Sequence, residues 1–370
     1  VWQKALGGSG QDMARSIQQT NDNGYIIAGM SNSIDGDVTG NHGDYDYWVV
    51  KLSEAGDLQW QKTYGGSASD AAYIIQQTED DGYIVAGSSI SNNGDATGNH
   101  GSGDYWVVKL NTTGNIQWQK SLGGSGWESA TTIQQTLDGG YIVSGESSST
   151  DGDVTGNHGS YDFWTVKLTE SGTIQWQTSN GGSGFDSATS LQQTIDGGYI
   201  VAGYAGSTDG EITGNHGESD YWIIKLKTNG TLEWQKTMGG SSWDSATTVQ
   251  KTFDGGYIIA GFSESIDGDV TDNQGGPDYW IVKLHPEPLS VDQVANPINC
   301  YPNPVSSILN ITALEPIKSV TVYDQLGQMV MTVSHSTPAL QLNLSELSTN
   351  IYQLVVETDK AVETKRIVVH

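Results

Sequence analysis

Basic side chains are scarce in this sequence. It has 16 Lys and Arg residues against 43 Asp and Glu residues, which gives a formal net charge of −27. Binding to nucleic acid depends on clustered Lys and Arg that contact phosphates, and binding to an anionic membrane surface needs the same charge. The composition therefore argues against both partners and favours metal cations, which relieve the repulsion among the acids.

Cysteine and long apolar runs are also missing. Cys300 is the only cysteine, so no disulfide can form within the chain. No stretch approaches the ~20 apolar residues of a membrane helix, and no membrane span is expected. No leader is visible at Val1, so we expect the sequence to begin after processing or to be a fragment.

Residues 1–284 consist of a repeat that is rich in glycine, tryptophan and tyrosine. In the third unit, alternating β-branched and aromatic residues at 129–136, 141–146, 162–168 and 173–177 indicate four strands separated by glycine-containing turns. Units of about 40–60 residues with several strands each are typical of a β-propeller. The equivalent tryptophans are Trp2, Trp60, Trp118, Trp176 and Trp234. The sequence predicts an all-β, five-bladed β-propeller.

The two ends of the repeat predict how the ring closes. The array begins with a fourth-strand sequence, Val1–Lys4, and ends with a third-strand sequence at 278–284. Pairing the first residues beside the last strand would supply the missing outer strand of the fifth blade and leave no open edge. We therefore expect the N-terminal strand to close the last blade.

An acidic loop recurs between the second and third strands of every unit. In the third unit it runs from Asp151 to Asp162, and its oxygen-bearing residues at positions 1, 3, 5 and 12 are close to the calcium loop D-x-[DN]-x-[DN]-G-x5-E. Calcium takes six to eight oxygen ligands, so we predict calcium as a cofactor. Turn capping by the same side chains is the alternative. The predicted ligands are Asp35, Asp37, Thr39, Asp46, Asn93, Asp95, Thr97, Asp104, Asp151, Asp153, Thr155, Asp162, Asp209, Glu211, Thr213, Asp220, Asp267, Asp269, Thr271 and Asp278.

Chain topology places a second set of loops on the same edge of the blades, here termed the rim. These loops join each fourth strand to the next first strand, and they carry Trp127, Phe185 and Trp243 as ligand-face aromatics on which sugars could stack. Packing between blades is the alternative role. Histidine recurs at position 8 of the acidic loop, as in His158, without a second histidine or a cysteine nearby. A hydrogen-bonding role is therefore expected for it.

Catalytic signatures are absent from the sequence. Glycosidases use two unlike carboxylates at a defined separation, whereas each carboxylate here has near-equivalents in the other units. The sequence contains no Gly-x-Ser-x-Gly, His-Glu-x-x-His or Walker motif. We predict a non-enzymatic binding or adhesion module with a surface glycan or protein as ligand. A multivalent lectin that uses the rim is the alternative, and a glycan-active enzyme comes third.

The C-terminal part has a different composition. Residues 285–297 resemble a linker, and residues 298–370 contain six short alternating strands that predict a small Ig-like β-sandwich. The motifs Tyr301-Pro-Asn-Pro304, Val322-Tyr-Asp-Gln-Leu-Gly327, Leu344-Ser-Glu-Leu347, Ile351-Tyr352 and Lys365-Arg-Ile-Val-Val-His370 follow in order.

In these motifs the segment resembles the type A C-terminal sorting domain of type IX secretion in Bacteroidetes-type bacteria. Asn350 stands where that family usually has glycine, and asparagine tolerates the left-handed turn. The resemblance implies contact with the type IX secretion machinery and export to the medium or the cell surface, often with removal of this domain. The propeller repeats also look like those of secreted proteins from the same bacteria.

Overall fold

The computed structural model describes residues 1–285, 298–313, 315–324, 328–358 and 362–370. The chain divides into two compact units, residues 1–286 and 287–370. Over the described ranges all regular structure is β-strand, as predicted, and no helix long and apolar enough to cross a membrane occurs there. After residue 285, the predicted linker lies outside the described residues.

The first unit contains five consecutive antiparallel sheets, one for each sequence repeat, which we term blades one to five. Blade one has β1 (Asp12–Gln19), β2 (Tyr25–Ser31), β3 (Asp46–Leu52) and β4 (Leu58–Tyr64). Blade two has β5 (Asp70–Gln77), β6 (Tyr83–Ser89), β7 (Asp104–Leu110) and β8 (Ile116–Leu122). Blade three has β9 (Glu128–Gln135), β10 (Tyr141–Ser147), β11 (Asp162–Leu168) and β12 (Ile174–Asn180). Blade four has β13 (Asp186–Gln193), β14 (Tyr199–Ala205), β15 (Asp220–Leu226) and β16 (Leu232–Met238). Blade five has β17 (Asp244–Lys251), β18 (Tyr257–Ser263) and β19 (Asp278–Leu284).

The third strand of each inner blade is buried on both faces. All seven residues of β7 are buried, because its alternate side chains point toward the preceding and the following blade. Between blades two and three, the Tyr105 ring lies 4.7 Å from the Trp164 ring, and its hydroxyl donates a hydrogen bond of 2.9 Å to the Trp164 carbonyl. Such junctions hold the blades together through apolar burial and one directed hydrogen bond.

The predicted closing strand is not formed. Within the described residues β19 pairs with β18 alone, and Val1–Lys4 belong to no strand. Instead, the Trp2 ring lies 5.7 Å from the Tyr25 ring, and its indole N–H donates a hydrogen bond of 3.1 Å to the Glu54 carbonyl. The prediction that this segment pairs beside 278–284 is therefore wrong for this structure, because the segment packs on the blade that follows it in sequence.

The second unit contains two antiparallel sheets. One has the order β20 (Asn299–Tyr301), β21 (Ile308–Thr312), β24 (Ala339–Asn343), and the other has β23 (Met329–Ser334), β22 (Ile317–Tyr323), β25 (Asn350–Thr358), β26 (Val362–Val369). Leu309 and Ile311 of the first sheet share one buried core with Val320, Val322 and Leu354 of the second. Of the predicted turn at 324–327, only residue 324 is among the described residues.

Candidate functional site

The first position of each acidic loop caps a neighbouring turn of its own blade. In blade three, Oδ1 of Asp151 accepts a hydrogen bond of 2.7 Å from the Ser125 backbone N–H, and the equivalent bond occurs in all five blades. This N–H holds the pKa of Asp151 below its ordinary value. Position 1 therefore performs the turn-capping role that the sequence left open as an alternative.

The other predicted ligands take separate partners. Oδ2 of Asp153 accepts the Gly123 N–H at 3.3 Å, and the hydroxyl of Thr155 accepts a hydrogen bond from the Gln177 side-chain amide. Among the residues that the structure describes, no three His, Cys, Asp or Glu side chains are arranged to hold a metal ion. The structure thus does not gather positions 1, 3, 5 and 12 around one point, and calcium binding stays a prediction.

Position 12 has a different environment, because it is buried. Asp162 is 0% exposed, and its Oδ2 accepts the His158 backbone N–H at 2.9 Å and lies 2.8 Å from His158 Nδ1. His158 thus has the hydrogen-bonding role expected for it. The other carboxylate oxygen, Oδ1, is buried without a hydrogen-bond partner, and the same holds for Asp46, Asp104 and Asp220.

That unpartnered oxygen faces a second carboxylate, which belongs to the following blade. A Cβ added to Gly181 would lie 2.6 Å from Asp162 Oδ1 and 2.8 Å from Asp186 Oδ2, so both oxygens border the same small space. Gly65, Gly123 and Gly239 border the equivalent spaces. These are termed the junction carboxylate pairs: Asp46 with Asp70, Asp104 with Glu128, Asp162 with Asp186, and Asp220 with Asp244.

Electrostatics make the pair of Asp162 and Asp186 a receptor for positive charge. Burial raises the pKa of Asp162 to about 6, with a further contribution from the nearby Asp186 charge, and burial also raises the pKa of Asp186. Burial acts to lower the pKa of His158, but the hydrogen bond to Asp162 and the charge of Glu211 raise it overall. A proton or a cation between the two carboxylates would relieve their repulsion.

The sequence revealed both members of each pair but not their meeting. Asp162 is the last residue of its acidic loop, and Asp186 is the first residue of β13 in the next blade. Their spacing along the chain is the same at every junction, as in Asp104 and Glu128. Any two equivalent positions of a regular repeat keep a constant spacing, so this spacing alone does not indicate that the two acids meet.

An aromatic row crosses blades three to five. Phe185 lies 4.8 Å from Tyr161 and stacks on Tyr204 at 6.0 Å between ring centroids. Trp243 lies 6.3 Å from Tyr204 and 6.0 Å from Phe262. Phe185 and Trp243 are 38% and 43% exposed, so each presents part of a ring to solvent.

Two of the three predicted aromatics therefore belong to this row. Trp127 is 36% exposed and packs over Gly103 at an inner junction instead. Sequence reasoning missed Tyr204 and Phe262, because both lie within predicted strands. The sequence signal for these two rings is that the residue type changes at their position in the repeat. The first three blades hold Met30, Ser88 and Glu146 there, whereas the last two hold aromatic residues.

Comparison with protein families identifies the C-terminal unit. Residues 299–370 match the secretion system C-terminal sorting domain. This match confirms the resemblance to a type IX sorting domain, and the chain is a secreted or cell-surface protein. A search of curated proteins finds no match.

Several solved structures are similar to the chain. One is PorZ of Porphyromonas gingivalis, an essential bacterial surface component of the type IX secretion system, with 11% identity, a TM-score of 0.26, and coverage of 100% of this chain and 61% of that chain. Another is a GH32 β-fructofuranosidase of Bombyx mori, with 12% identity, a TM-score of 0.32, and coverage of 98% and 87%. The WD40 β-propeller domain of Doa1 has 9% identity, a TM-score of 0.30, and coverage of 69% and 92%. The chain spans 61% of the length of the PorZ chain.

Proposed function

We propose that this secreted or cell-surface protein is a non-enzymatic binding or adhesion module built on a five-bladed propeller, with a surface glycan or protein as its ligand. The observation that carries the proposal is how the rim carboxylates are used. Position 1 caps the same turn in all five blades, and position 12 forms a similar buried pair at four junctions. A hydrolase needs unlike carboxylates with different tasks, and this regular use favours a scaffold that presents a binding face.

Calcium is proposed as the stabilising cofactor of the rim. The net charge of −27 and the unpartnered carboxylate oxygens at four junctions support this role, because calcium prefers oxygen ligands. Each occupied site would add roughly 0.4–1.4 kcal/mol at one to ten times its Kd. Several such sites would move the melting temperature measurably.

Export should depend on the C-terminal unit. We expect a chain truncated after residue 284 to fold but to remain inside the cells of a host with type IX secretion, because the sorting domain at 299–370 is lost. Immunoblots of the medium and the cell surface, beside the full chain, measure this. A passenger protein fused to residues 298–370 is the matched control and should be exported. Normal secretion of the truncated chain would contradict the proposal.

A lectin is the second candidate, and the aromatic row favours it. The row presents half-exposed rings on blades three to five and so breaks the near-equivalence of the repeats. Sugars bind proteins by stacking apolar faces on such rings, with polar groups nearby for the hydroxyls. The neighbouring acidic loops supply those polar groups.

The lectin candidate is tested with a glycan array. Trp243→Ala is expected to reduce binding of a retained glycan about twofold to twelvefold, because an aromatic contact contributes about 0.5–1.5 kcal/mol beyond the area that it buries. Trp127→Ala is the matched control, since it removes an exposed rim aromatic outside the row. Equal losses in both variants, or no retained glycan, would contradict the lectin and leave a protein ligand for the adhesion module.

A further inference from the structure

Glu146 brings a carboxylate to a place in the repeat where no other blade has a charged residue. The equivalent residues are Met30, Ser88, Tyr204 and Phe262. Ile142 of the same strand packs in the core that blade three shares with blade four. Because side chains four residues apart lie on the same face of a strand, the partly buried Glu146 also faces blade four.

The neighbours of this carboxylate belong to the aromatic row. Tyr204, the equivalent residue of blade four, lies 6.3 Å from Trp243 of the following blade, and the same register sets Phe185 beside Glu146. Ser187 lies opposite Tyr204 in the pairing of β13 with β14. Its hydroxyl is a hydrogen-bond partner of both Tyr204 and Glu146, so it joins the carboxylate to the row. The site thus lies between two inner blades, and its formation depends on neither end of the blade array.

Glu146 has no basic partner among the residues that the structure describes. Burial raises the pKa of this carboxyl, the hydrogen bond with Ser187 lowers it, and no Lys, Arg or His contributes. Burial, and then the charge of Glu146, raise the pKa of the Tyr204 hydroxyl. A carboxylate that is partly removed from water in this way is stabilised by a cation placed beside it.

The rings of the row favour the same sign of charge. Phe185 stacks on Tyr204 with an angle of 13° between the ring planes, and it is 38% exposed. Aromatic faces attract cations such as ammonium groups, because the faces carry the negative part of the ring quadrupole. The net charge of −27 draws cations to the surface and repels anionic ligands. The carboxylate, the rings and the charge of the whole chain therefore select a positively charged ligand.

We propose that Glu146 and the aromatic row bind a glycan that carries protonated amines, such as an oligomer of glucosamine without acetyl groups. This inference rests on the lectin candidate and specifies the class of its ligand. The amine donates to the Glu146 carboxylate beside Phe185, and the apolar faces of the sugars stack on the rings. The row continues past Tyr204 to Trp243 and Phe262, which gives room for further sugars and favours a glycan over a single lysine side chain.

Titration calorimetry of the full chain tests this with a glucosamine oligomer and its N-acetylated form, in mildly acidic buffer that protonates the amines. The wild type should bind the amine form about tenfold more tightly or better, because a hydrogen bond between charged groups is stronger than a neutral one. Glu146→Gln should lose this preference and keep its affinity for the N-acetylated form. Glu146→Ser, which places the blade-two residue at this position, should lose it as well. Because burial raises the pKa of Glu146, the loss of its charge in Glu146→Gln should not lower the melting temperature.

Glu170→Gln is the matched control, since it removes the same charge from an exposed residue in the turn between β11 and β12 of the same blade. This variant should keep the preference of the wild type, and equal losses in Glu146→Gln and Glu170→Gln would overturn the proposal in favour of general charge attraction. Equal wild-type affinities for the two oligomers would overturn it and leave the lectin candidate intact. No binding of any glycan would overturn both. Tighter binding of an oligolysine peptide than of the amine oligomer would also overturn it and assign the site to a protein ligand.

Discussion

Asp162→Asn is expected to raise the melting temperature by about 5 °C at neutral pH in the presence of a chelator. Burial raises the pKa of Asp162 from 3.8 to about 6, so its ionised form costs on the order of 3 kcal/mol of folding free energy at this junction. The asparagine keeps an oxygen for the His158 N–H. It also places an amide N–H toward Asp186, where the wild type has an oxygen without a partner.

The pH dependence follows from the direction of the pKa shifts. A carboxyl whose pKa is raised by folding binds its proton more tightly in the folded chain. Its contribution to stability is complete below 3.8 and disappears as the pH rises through about 6. His158, whose pKa is also raised, loses its contribution as the pH rises further. Asp186 and Glu211 are the other charged groups beside the site. The melting temperature of the wild type should fall as the pH rises from 4 to 7. The melting temperature of Asp162→Asn should depend less on pH over the same range.

Adding calcium distinguishes neutralisation of the carboxylate pair by a bound cation from neutralisation by a proton. At neutral pH calcium should raise the melting temperature of the wild type, and a variant with Asn at Asp46, Asp104, Asp162 and Asp220 should lose most of that response. Asp151→Asn is the control, since Asn93 occupies this position natively in blade two. An unchanged wild-type melt on adding calcium would refute the calcium proposal. A less stable Asp162→Asn protein in chelator would refute the repulsion within the pair.

Gly145→Ala is expected to destabilise the propeller by about 3 kcal/mol or more. Gly145 lies in β10 beside an irregularity in the pairing with β9, and an added Cβ would lie 2.0 Å from the Ser129 carbonyl oxygen. The obstacle is backbone, so no change of side-chain rotamer relieves it. The Tyr105 hydroxyl, 2.9 Å from the same point, comes from the preceding blade, so the strain also reaches the junction. Urea unfolding followed by tryptophan fluorescence measures the loss.

Gly139→Asn provides the matched control for this glycine. Gly139 has a φ of +80° in the turn between β9 and β10, and nothing lies within 4 Å of an added Cβ. Asn23 and Asp81 hold the equivalent turns of blades one and two with φ values of 63° and 59°. The free energy of unfolding should therefore change by less than about 0.5 kcal/mol. If the two substitutions changed the free energy of unfolding by similar amounts, the close backbone approach at Gly145 in β10 would not be the cause of the destabilisation.

The sequence by itself determined the strands and their order. The predicted third-unit strands at 141–146 and 162–168 correspond to β10 (Tyr141–Ser147) and β11 (Asp162–Leu168). The reason is local: side chains alternate along a strand, and glycine or asparagine permits the turn between strands. The sorting domain was also readable from short motifs, because those residues follow one another in the chain.

Tertiary structure decided which side chains meet across blades. Asp162 faces Asp186, and Trp243 lies 6.3 Å from Tyr204 of the preceding blade, because the buried Tyr and Trp contacts fix how one blade lies on the next. The repeat predicted that the N-terminal segment pairs beside the last blade, whereas the structure places it against the first. Trp2 and Leu6 pack on an apolar surface of blade one, which follows them directly in the chain. This packing decides where the segment lies, and the period of the repeat alone does not predict it.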